Sequence, residues 1–455
     1  MSAPDAVAGR PRGFQWPFAR LLQARTTWFL LERYTSTGLG FVLTAILARG
    51  SQLDHLAQYL AAYALMSVFE PLFAGAINGY LLRLLRRADG QAAAEEALRT
   101  TFWLMQALAV VFVAGAIGLF AMLRGDHLIT QLFFLPILFT PWKLFSAPLI
   151  ARDQFMRVTP VQVTANIAAG VLRIGVALAT HSLVLIPLLM CLEPLVTGPV
   201  LKARAGVRLF GPRPVARVVA GQVLRQLPAL MGAMGLVCLF YRTPVMLARL
   251  DLDSVQVVRI ALAMQVMTAL GVIQAALADS LIGPLAHALD QDEQFLKLLR
   301  IGSSVVFVFG LSVLGFVSLG GEWALRVAFG HRAIGIGPVV TALAPLCLCS
   351  GLLRLATTVI NLRGRPVMMV QIWLVALAAQ AGAALLLLHW RSPVIIALAM
   401  PISLGLGLAT SLLSDGTRQA MVEVFTGFWK VLVRPSEWGG VGDVMLGASP
   451  ARRQR

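Results

Sequence analysis

Apolar residues run through this chain in blocks of about 20 or more, and polar residues collect in the short gaps between them. Segmenting on that pattern predicts membrane-spanning helices at 27–48, 56–80, 98–122, 128–150, 158–180, 183–201, 227–249, 255–280, 299–319, 335–360, 367–388 and 393–413. Inside a bilayer no water satisfies an exposed backbone group, and the blocks are too long for barrel strands, so each must be a helix. The longest break in the apolar pattern lies in the middle. Lys202–Arg225, KARAGVRLFGPRPVARVVAGQVLR, carries six Lys/Arg and no Asp or Glu, and Gly206, Gly211, Pro212 and Pro214 interrupt it.

The predicted fold is therefore an all-α polytopic membrane protein of about twelve transmembrane helices in two six-helix halves. Its segments are a basic N-terminal tail at 1–25, a six-helix lobe at 26–201, a basic linker at 202–225, a second six-helix lobe at 226–413, and a C-terminal region at 414–455. Both halves share a plan of span, tight hairpin, span and longer charged loop. Ala-Arg-Gly-Ser from Ala48 sits where Ala-Arg-Leu-Asp from Ala248 sits, which suggests a duplication with parallel rather than inverted repeats. In the first tail, Phe14, Trp16, Phe18, Leu21 and Leu22 beside Arg20 and Arg25 predict a short interfacial segment. After the last span, Met421, Val422, Phe425, Phe428, Trp429, Leu432 and Val433 recur at helical spacing opposite Glu423, Lys430 and Arg434. That pattern predicts an amphipathic helix on the inner membrane surface, ending before Pro435, with a disordered tail from Ser436.

Composition agrees: 58% apolar and 13% charged residues, at a mean hydropathy of +0.79, leave too little polar surface to cover a soluble globule. The net charge of +17 does not indicate nucleic acid, because Lys and Arg fall in loops between spans rather than along one face. They act instead as orientation signals. With both termini cytoplasmic, about 26 of the 38 Lys/Arg face inward and about six (Arg49, Arg124, Arg249, Arg326, Arg332, Arg391) face outward. The expected location is a bacterial inner membrane, with anionic lipids meeting the basic linker. The first span follows basic residues as a signal peptide would but lacks a small-residue cleavage site, so it reads as a retained helix. Cys191, Cys238, Cys347 and Cys349 lie within spans at no redox or zinc spacing, and the histidines show no metal-ligand spacing.

Only four lysines occur (Lys143, Lys202, Lys297, Lys430) and none belongs to a Walker A loop; no Ser/His/Asp order, HExxH or paired-Cys zinc pattern is present, and every outer loop is short. The expectation is a protein that is not an enzyme and holds no cofactor or metal. What stands out is charge inside the spans, which is costly there and is paired, snorkels, or faces a wet cavity. Arg33, Lys143 and Arg354 fall in the inner half of the membrane and Arg173 and Arg242 nearer the outer half, so together they could form a ladder of positive charge suited to phosphate. Arg33 and Arg354 are equally consistent with snorkelling. Among the acids, Glu32, Glu70 and Glu193, with Asp279 near an inner end, could pair with an intramembrane cation or take up a proton or sodium ion. Glu70-Pro71 and Glu193-Pro194 add a proline that removes a backbone donor beside the carboxylate.

The run from Thr26 to Arg87, with Leu-Ala-Arg-Gly at 47–50, Gln-Tyr-Leu-Ala-Ala-Tyr-Ala at 58–64 and Gly-Ala-Ile-Asn-Gly-Tyr at 75–80, resembles the opening helix pair of Wzx-type oligosaccharide flippases. These share a superfamily with lipid II flippases and MATE drug exporters. Pro-Leu-Ala-His-Ala-Leu at 284–289 before the acidic loop Asp290–Glu293, Val-Ala-Phe-Gly at 327–330 and Asn-Leu-Arg-Gly-Arg-Pro at 361–366 extend the resemblance over nearly the whole chain. It implies two six-helix lobes around a central cationic cavity that opens alternately to either side and moves a polyprenyl-pyrophosphate-linked oligosaccharide for surface polysaccharide synthesis, such as exopolysaccharide or the O-antigen of lipopolysaccharide. On that reading Arg242, Arg173, Lys143, Arg33 and Arg354 meet the pyrophosphate and glycan, and a polysaccharide polymerase or glycosyltransferases are further partners. Twelve spans favour the polysaccharide branch over lipid II flippases, which usually carry two more. Where an acidic residue often stands in span seven, this chain has Arg242, Thr243 and Pro244. Two alternatives remain: a MATE-like ion-coupled exporter of small cations, which needs a net acidic cavity, and a non-transporting scaffold of a glycan-synthesis complex.

Overall fold

The computed structural model describes residues 25–50, 52–123, 128–152, 154–180, 183–208, 216–281, 285, 288, 291–330, 335–363, 366–387, 392–413 and 415–433. The interfacial segment expected near Phe14, the middle of the linker at 209–215 and the tail from Ser436 lie outside them. Among the described residues the chain is helical throughout, without a strand. The first half comprises α1 (Arg25–Gly50), α2 (Leu53–Phe69), a 3₁₀ turn (Glu70–Leu72), α3 (Gly75–Arg87), α4 (Gln91–Met122), α5 (Leu128–Phe134), a 3₁₀ stretch (Leu135–Ser146), α6 (Ala147–Ala151), α7 (Phe155–Thr180), α8 (Leu185–Met190) and α9 (Leu192–Ala205). The second comprises α10 (Arg217–Asp251), α11 (Ser254–Ser280), α12 (Asp292–Phe329), α13 (Gly337–Leu362), α14 (Pro366–Leu387), α15 (Pro393–Thr410), a 3₁₀ turn (Ser411–Leu413) and α16 (Asp415–Val433).

Every predicted span falls on a helix. Among the described residues ten helical runs are long and apolar enough to cross a membrane; α14 adds a shorter apolar stretch at 367–383, and α1 is 26 residues long. The molecule is oily on its outside as well as its inside. Met122, Leu319, Trp323 and Ile402 are among its most exposed residues, as expected where lipid rather than water is the surrounding solvent. Polar hydroxyls in the spans fold back on their own helices. Thr44 donates to the Gly40 carbonyl, Thr101 to Ala97 and Thr268 to Met264, which removes each donor from the apolar surroundings.

Several loops are shorter than the hydropathy pattern suggests, because charged residues extend the helices past the bilayer. The 38 residues of α12 rise roughly 57 Å at 1.5 Å per residue, so about half of the helix exceeds a 30 Å hydrocarbon core. Likewise α10 begins at Arg217, so the last third of the basic linker is helix, and Gly206 (φ +68°) ends α9 in the left-handed conformation that only glycine adopts cheaply.

The packing repeats at an offset of six spans. In the first lobe α1 lies on α7, α2 on α5, α4 on the 3₁₀ stretch, that stretch on α9, and α7 on α9. In the second lobe α10 lies on α14, α11 on α13, α12 on α13, α13 on α15, and α14 on α15, which are the same pairings. The lobes meet through α1 with α11, α2 with α10, and α2 with α11. Exchanging the lobes converts the first of these contacts into the second and leaves the third unchanged. A pseudo-two-fold axis therefore runs between α2 and α11, as parallel repeats require. At one end of the seam Arg49 of α1 donates through Nε to the Ala328 carbonyl at 3.1 Å and through its second arm to Val327. This gives the C-terminus of α12 a cation where its carbonyls are unpaired. Phe41 and Phe329 meet edge to face at 5.3 Å beneath it.

The C-terminal helix α16 packs on α12, with Met421 of the expected apolar face buried and Val422, Trp429 and Val433 exposed. Glu423, expected on the polar side, is turned into the interface at 8% side-chain exposure and bonds Arg300 at 3.0 Å and Lys430 at 2.6 Å. Two cations offset its desolvation. Phe428 stacks on Phe307 at 4.1 Å, and Gly427 lets the helices touch: a Cβ there would lie 2.8 Å from the Arg300 Cα.

Candidate functional site

Three charged residues of the first lobe meet where three helices break. Glu70 opens the 3₁₀ turn that separates α2 from α3, with Pro71 removing the next backbone donor. Lys143 lies in the 12-residue 3₁₀ stretch that Pro136 and Pro141 impose on the fourth span. Glu193 stands in the first turn of α9, just after the kink at Cys191 and beside Pro194. Each proline costs its helix a hydrogen bond, and the loosened backbone directs a charged side chain inward. The Lys143 Nζ lies 3.1 Å from Glu70 Oε1 and 3.5 Å from Glu193 Oε1. The three side chains retain 34%, 28% and 24% exposure, so the cluster lines an opening in the lobe rather than a sealed core.

Gly198 sets the spacing of this cluster. A Cβ at that position of α9 would fall 2.7 Å from the Trp142 Cβ, so only a glycine allows Trp142, and Lys143 beside it, to approach the helix that carries Glu193. Trp142 is held on its other side by Phe102 of α4, edge to face at 5.7 Å.

A second group of residues lies at the seam between the lobes. The Arg242 guanidinium of α10 sits 5.6 Å from the centre of the Tyr63 ring of α2, across the lobe boundary, where a ring face favours a cation. Its helix is weakened at the same place by Pro244, and Thr243 covers the Leu239 carbonyl at 2.7 Å. Arg173 of α7 donates from Nε to the Ala169 carbonyl at 3.1 Å and lies within electrostatic reach of Tyr59. Arg354 of α13 is exposed and within reach of Tyr241. Among the described residues neither Arg242 nor Arg173 makes an ion pair.

The sequence places five cations in one ladder, and the structure divides them. Lys143 is held by two carboxylates, Arg242 presents charge over an aromatic ring, and Arg173 bonds a carbonyl of its own helix. Glu32 is half-buried on α1; the side chains of Arg33 and Asp279 are outside the described residues. Sequence reasoning missed the aromatic partners. Tyr59 and Tyr63, four residues apart on one face of α2, both pack edge to face on Phe133, and Tyr241 and Trp373 form a matching cluster at 6.0 Å in the second lobe. The i, i+4 spacing of the two tyrosines on one helix was the available signal. The polar pair Gln274 and Ser350 was also missed. Ser350 Oγ lies 3.5 Å from Gln274 Oε1, while the Gln274 Nε2, on a side chain 1% exposed, has no partner. No cluster of three or more metal-binding side chains occurs among the described residues.

No protein-family model matches the chain, and no curated protein sequence matches it. Solved structures do. The chain is similar to lipid II flippase MurJ in an inward closed conformation, at 12% identity and a TM-score of 0.62, over 92% of this chain and 96% of that one. It is equally similar to a Vibrio cholerae MATE transporter, at 14% identity and TM-score 0.62 over 90% and 98%. A MOP superfamily transporter from Pyrococcus furiosus, described as having a binding pocket of reversed polarity, aligns at 13% identity and TM-score 0.58 over 94% and 96%. At these identities the likeness is one of fold, and it covers at least 90% of this chain in each case.

Proposed function

We propose that this protein is a flippase that moves a polyprenyl-pyrophosphate-linked oligosaccharide across a bacterial inner membrane, the two lobes rocking about their seam so that the cavity opens to one side and then the other. The observation that carries this reading is Arg242: a guanidinium without an ion pair among the described residues, at the lobe boundary, over the face of Tyr63. A cation is costly at that depth unless it has a task. A planar fork there suits a pyrophosphate, and Arg173 supplies a second cation on the first lobe. The half-buried rings of Tyr63 and Tyr241 are flat and partly polar, of the kind sugar rings stack on. The resemblance to Wzx-type flippases and the fold shared with MurJ support the same cargo class. The charge asymmetry of the loops supports cytoplasmic termini, and the Arg49 contact then closes the outer end of the seam.

The test uses the purified protein in liposomes with a fluorescent polyprenyl-pyrophosphate sugar and an impermeant quencher. Removing a charge-assisted bond worth about 1.5–3 kcal/mol slows transfer by about 10- to 100-fold, so Arg242→Ala should flip at about a tenth of the wild-type rate or less, with Arg242→Lys in between. An unchanged rate at equal incorporation would sink the cationic-seam reading. Uptake of a cationic dye in place of the lipid would favour the exporter.

A further inference from the structure

We propose that α16 is inserted in the inner leaflet of the membrane rather than laid on its surface, and that its outward stripe of Val422, Thr426, Trp429 and Val433 is a docking face for lipid acyl chains. The inference does not depend on the cargo. It rests on the direction in which α16 runs. Glu423 meets Arg300, Gly427 lies against Arg300 and Ser303, and Phe428 stacks on Phe307, so the contacts advance together along both helices and α16 runs parallel to α12. A helix lying on the surface would cross a span steeply and touch it at one level only.

The charges of α12 give a depth scale. Between Arg300 and the exposed Glu322–Arg326 pair, the stretch 301–321 holds no charged side chain. From Arg300 to Glu322 the helix rises about 33 Å at 1.5 Å per residue, close to the ~30 Å of a hydrocarbon core. Arg300 therefore stands at one edge of that core, the inner edge when the termini are cytoplasmic, and Glu423 stands beside it. Phe307 lies about 10 Å farther in, and the part of α16 from Glu423 to Val433 continues for about 15 Å in the same direction.

The side chains fit that depth. Val422, Thr426, Trp429 and Val433 recur at i, i+4, i+7 and i+11, along one side of the helix, and the three apolar ones are exposed. The Thr426 hydroxyl donates to the Val422 carbonyl at 2.7 Å, which leaves the stripe without a free donor. On α12 the Ser312 hydroxyl folds back on Val308 in the same way, and Val308 and Leu311 are exposed at the level of Trp429 and Val433. The surface at that depth is already the outside of a span, and this continuity commits the stripe to acyl chains rather than to a protein. Charge is drawn to the other end. Lys430 lies about 10 Å beyond Glu423 along the axis, yet its Nζ reaches back to Glu423 Oε1 at 2.6 Å, as a snorkelling lysine does. Because α16 also packs on α13 and on the 3₁₀ turn after α15, the inserted helix joins the inner ends of the ninth, tenth and twelfth spans.

Spin labelling of the full chain in lipid nanodiscs measures this depth without transport. Val422→Cys, Trp429→Cys and Val433→Cys, each carrying a nitroxide, are read for collision with oxygen, which concentrates among acyl chains, and with a water-soluble nickel chelate. Wild type treated identically sets the background from the four native cysteines. The ratio of oxygen to nickel collisions should rise stepwise from 422 to 429 to 433. All three substitutions fall on exposed positions, and their folding is checked by chromatographic elution in the same preparation. A flat or falling ratio would put the helix on the surface or in water, and protection of 429 and 433 from both reagents would mean that a protein covers the stripe. Either result would overturn the proposal.

Discussion

In the first lobe the contact between the second and fourth spans carries Glu70 and Lys143, 3.1 Å apart; in the second lobe the contact related to it by the pseudo-two-fold carries Gln274 and Ser350, 3.5 Å apart. The helices pair alike, and the chemistry between them differs. A carboxylate and an ammonium can exchange protons and counter-ions, whereas an amide and a hydroxyl can only hydrogen-bond. The helices that hold them differ in the same direction. Leu135–Ser146 is wound as 3₁₀ around two prolines, while its counterpart α13 is a continuous helix through Pro345. The scaffold thus occurs twice with different chemistry. At this contact the first lobe is loosened and ionisable and the second is uncharged and regular, with Arg242 standing on the second lobe beside Tyr63 of the first.

The largest effect should come from removing the charge that holds the first lobe together. Lys143→Met leaves two carboxylates facing each other without a cation, and breaking a buried pair costs about 3–5 kcal/mol; the low end applies here because a third of the side chain is open. Thermal unfolding in detergent should show this loss, and the triple variant with Glu70→Gln and Glu193→Gln should recover most of it. If Lys143→Met is as stable as wild type, the lobes do not differ in the way their side chains suggest.

A smaller and more geometric effect is expected at two glycines that stand at similar positions in the sixth and twelfth spans. Gly198→Ala would press on Trp142 beside Lys143, and Gly407→Ala would place a methyl 2.7 Å from the Ile372 carbonyl oxygen. Overpacking costs about 1–3 kcal/mol in either case. Only Gly198→Ala should also slow transfer of the lipid probe, because only there does the displaced side chain adjoin a charge. An equal slowing in both variants would remove the distinction.

Most of the architecture could be read from the apolar blocks, because a bilayer allows an exposed backbone only one solution. The break at Lys202–Arg225 also marks the join between the repeats, although its last residues, from Arg217, belong to α10. The site was legible in part. Charge inside a span identified Glu70, Lys143 and Glu193 one by one, but partners 73 and 50 positions apart in the chain meet only through tertiary packing, so Lys143 looked like a phosphate ligand when its ammonium is already held. Glu423 shows the same limit: helical spacing put it on the polar side of α16, and only the presence of Arg300 on α12 explains why it turns inward. Gln274 escaped notice because an amide adds no charge to a span and so breaks no pattern.

The smallest effect should be at Gln274 itself. Its amide is wedged between two glycines of neighbouring helices: a Cβ at Gly310 would lie 3.1 Å from Nε2, and one at Gly351 would lie 3.2 Å from Cδ. Such a fit resembles interhelical hydrogen-bond glue, which in membranes is worth only about 0.6 kcal/mol on average. The Nε2 group gains nothing from its surroundings, so Gln274→Met, which keeps the length and loses the unpaired donor, should change the unfolding free energy by less than about 1 kcal/mol. Ser350→Ala should behave alike, since Ser350 also bonds the Cys347 carbonyl of its own helix at 3.0 Å and can do without the amide. A loss at Gln274 as large as that at Lys143 would mean that the second lobe, too, is held together by its polar pair. The contrast between the lobes would then lie in the charge of the pair alone.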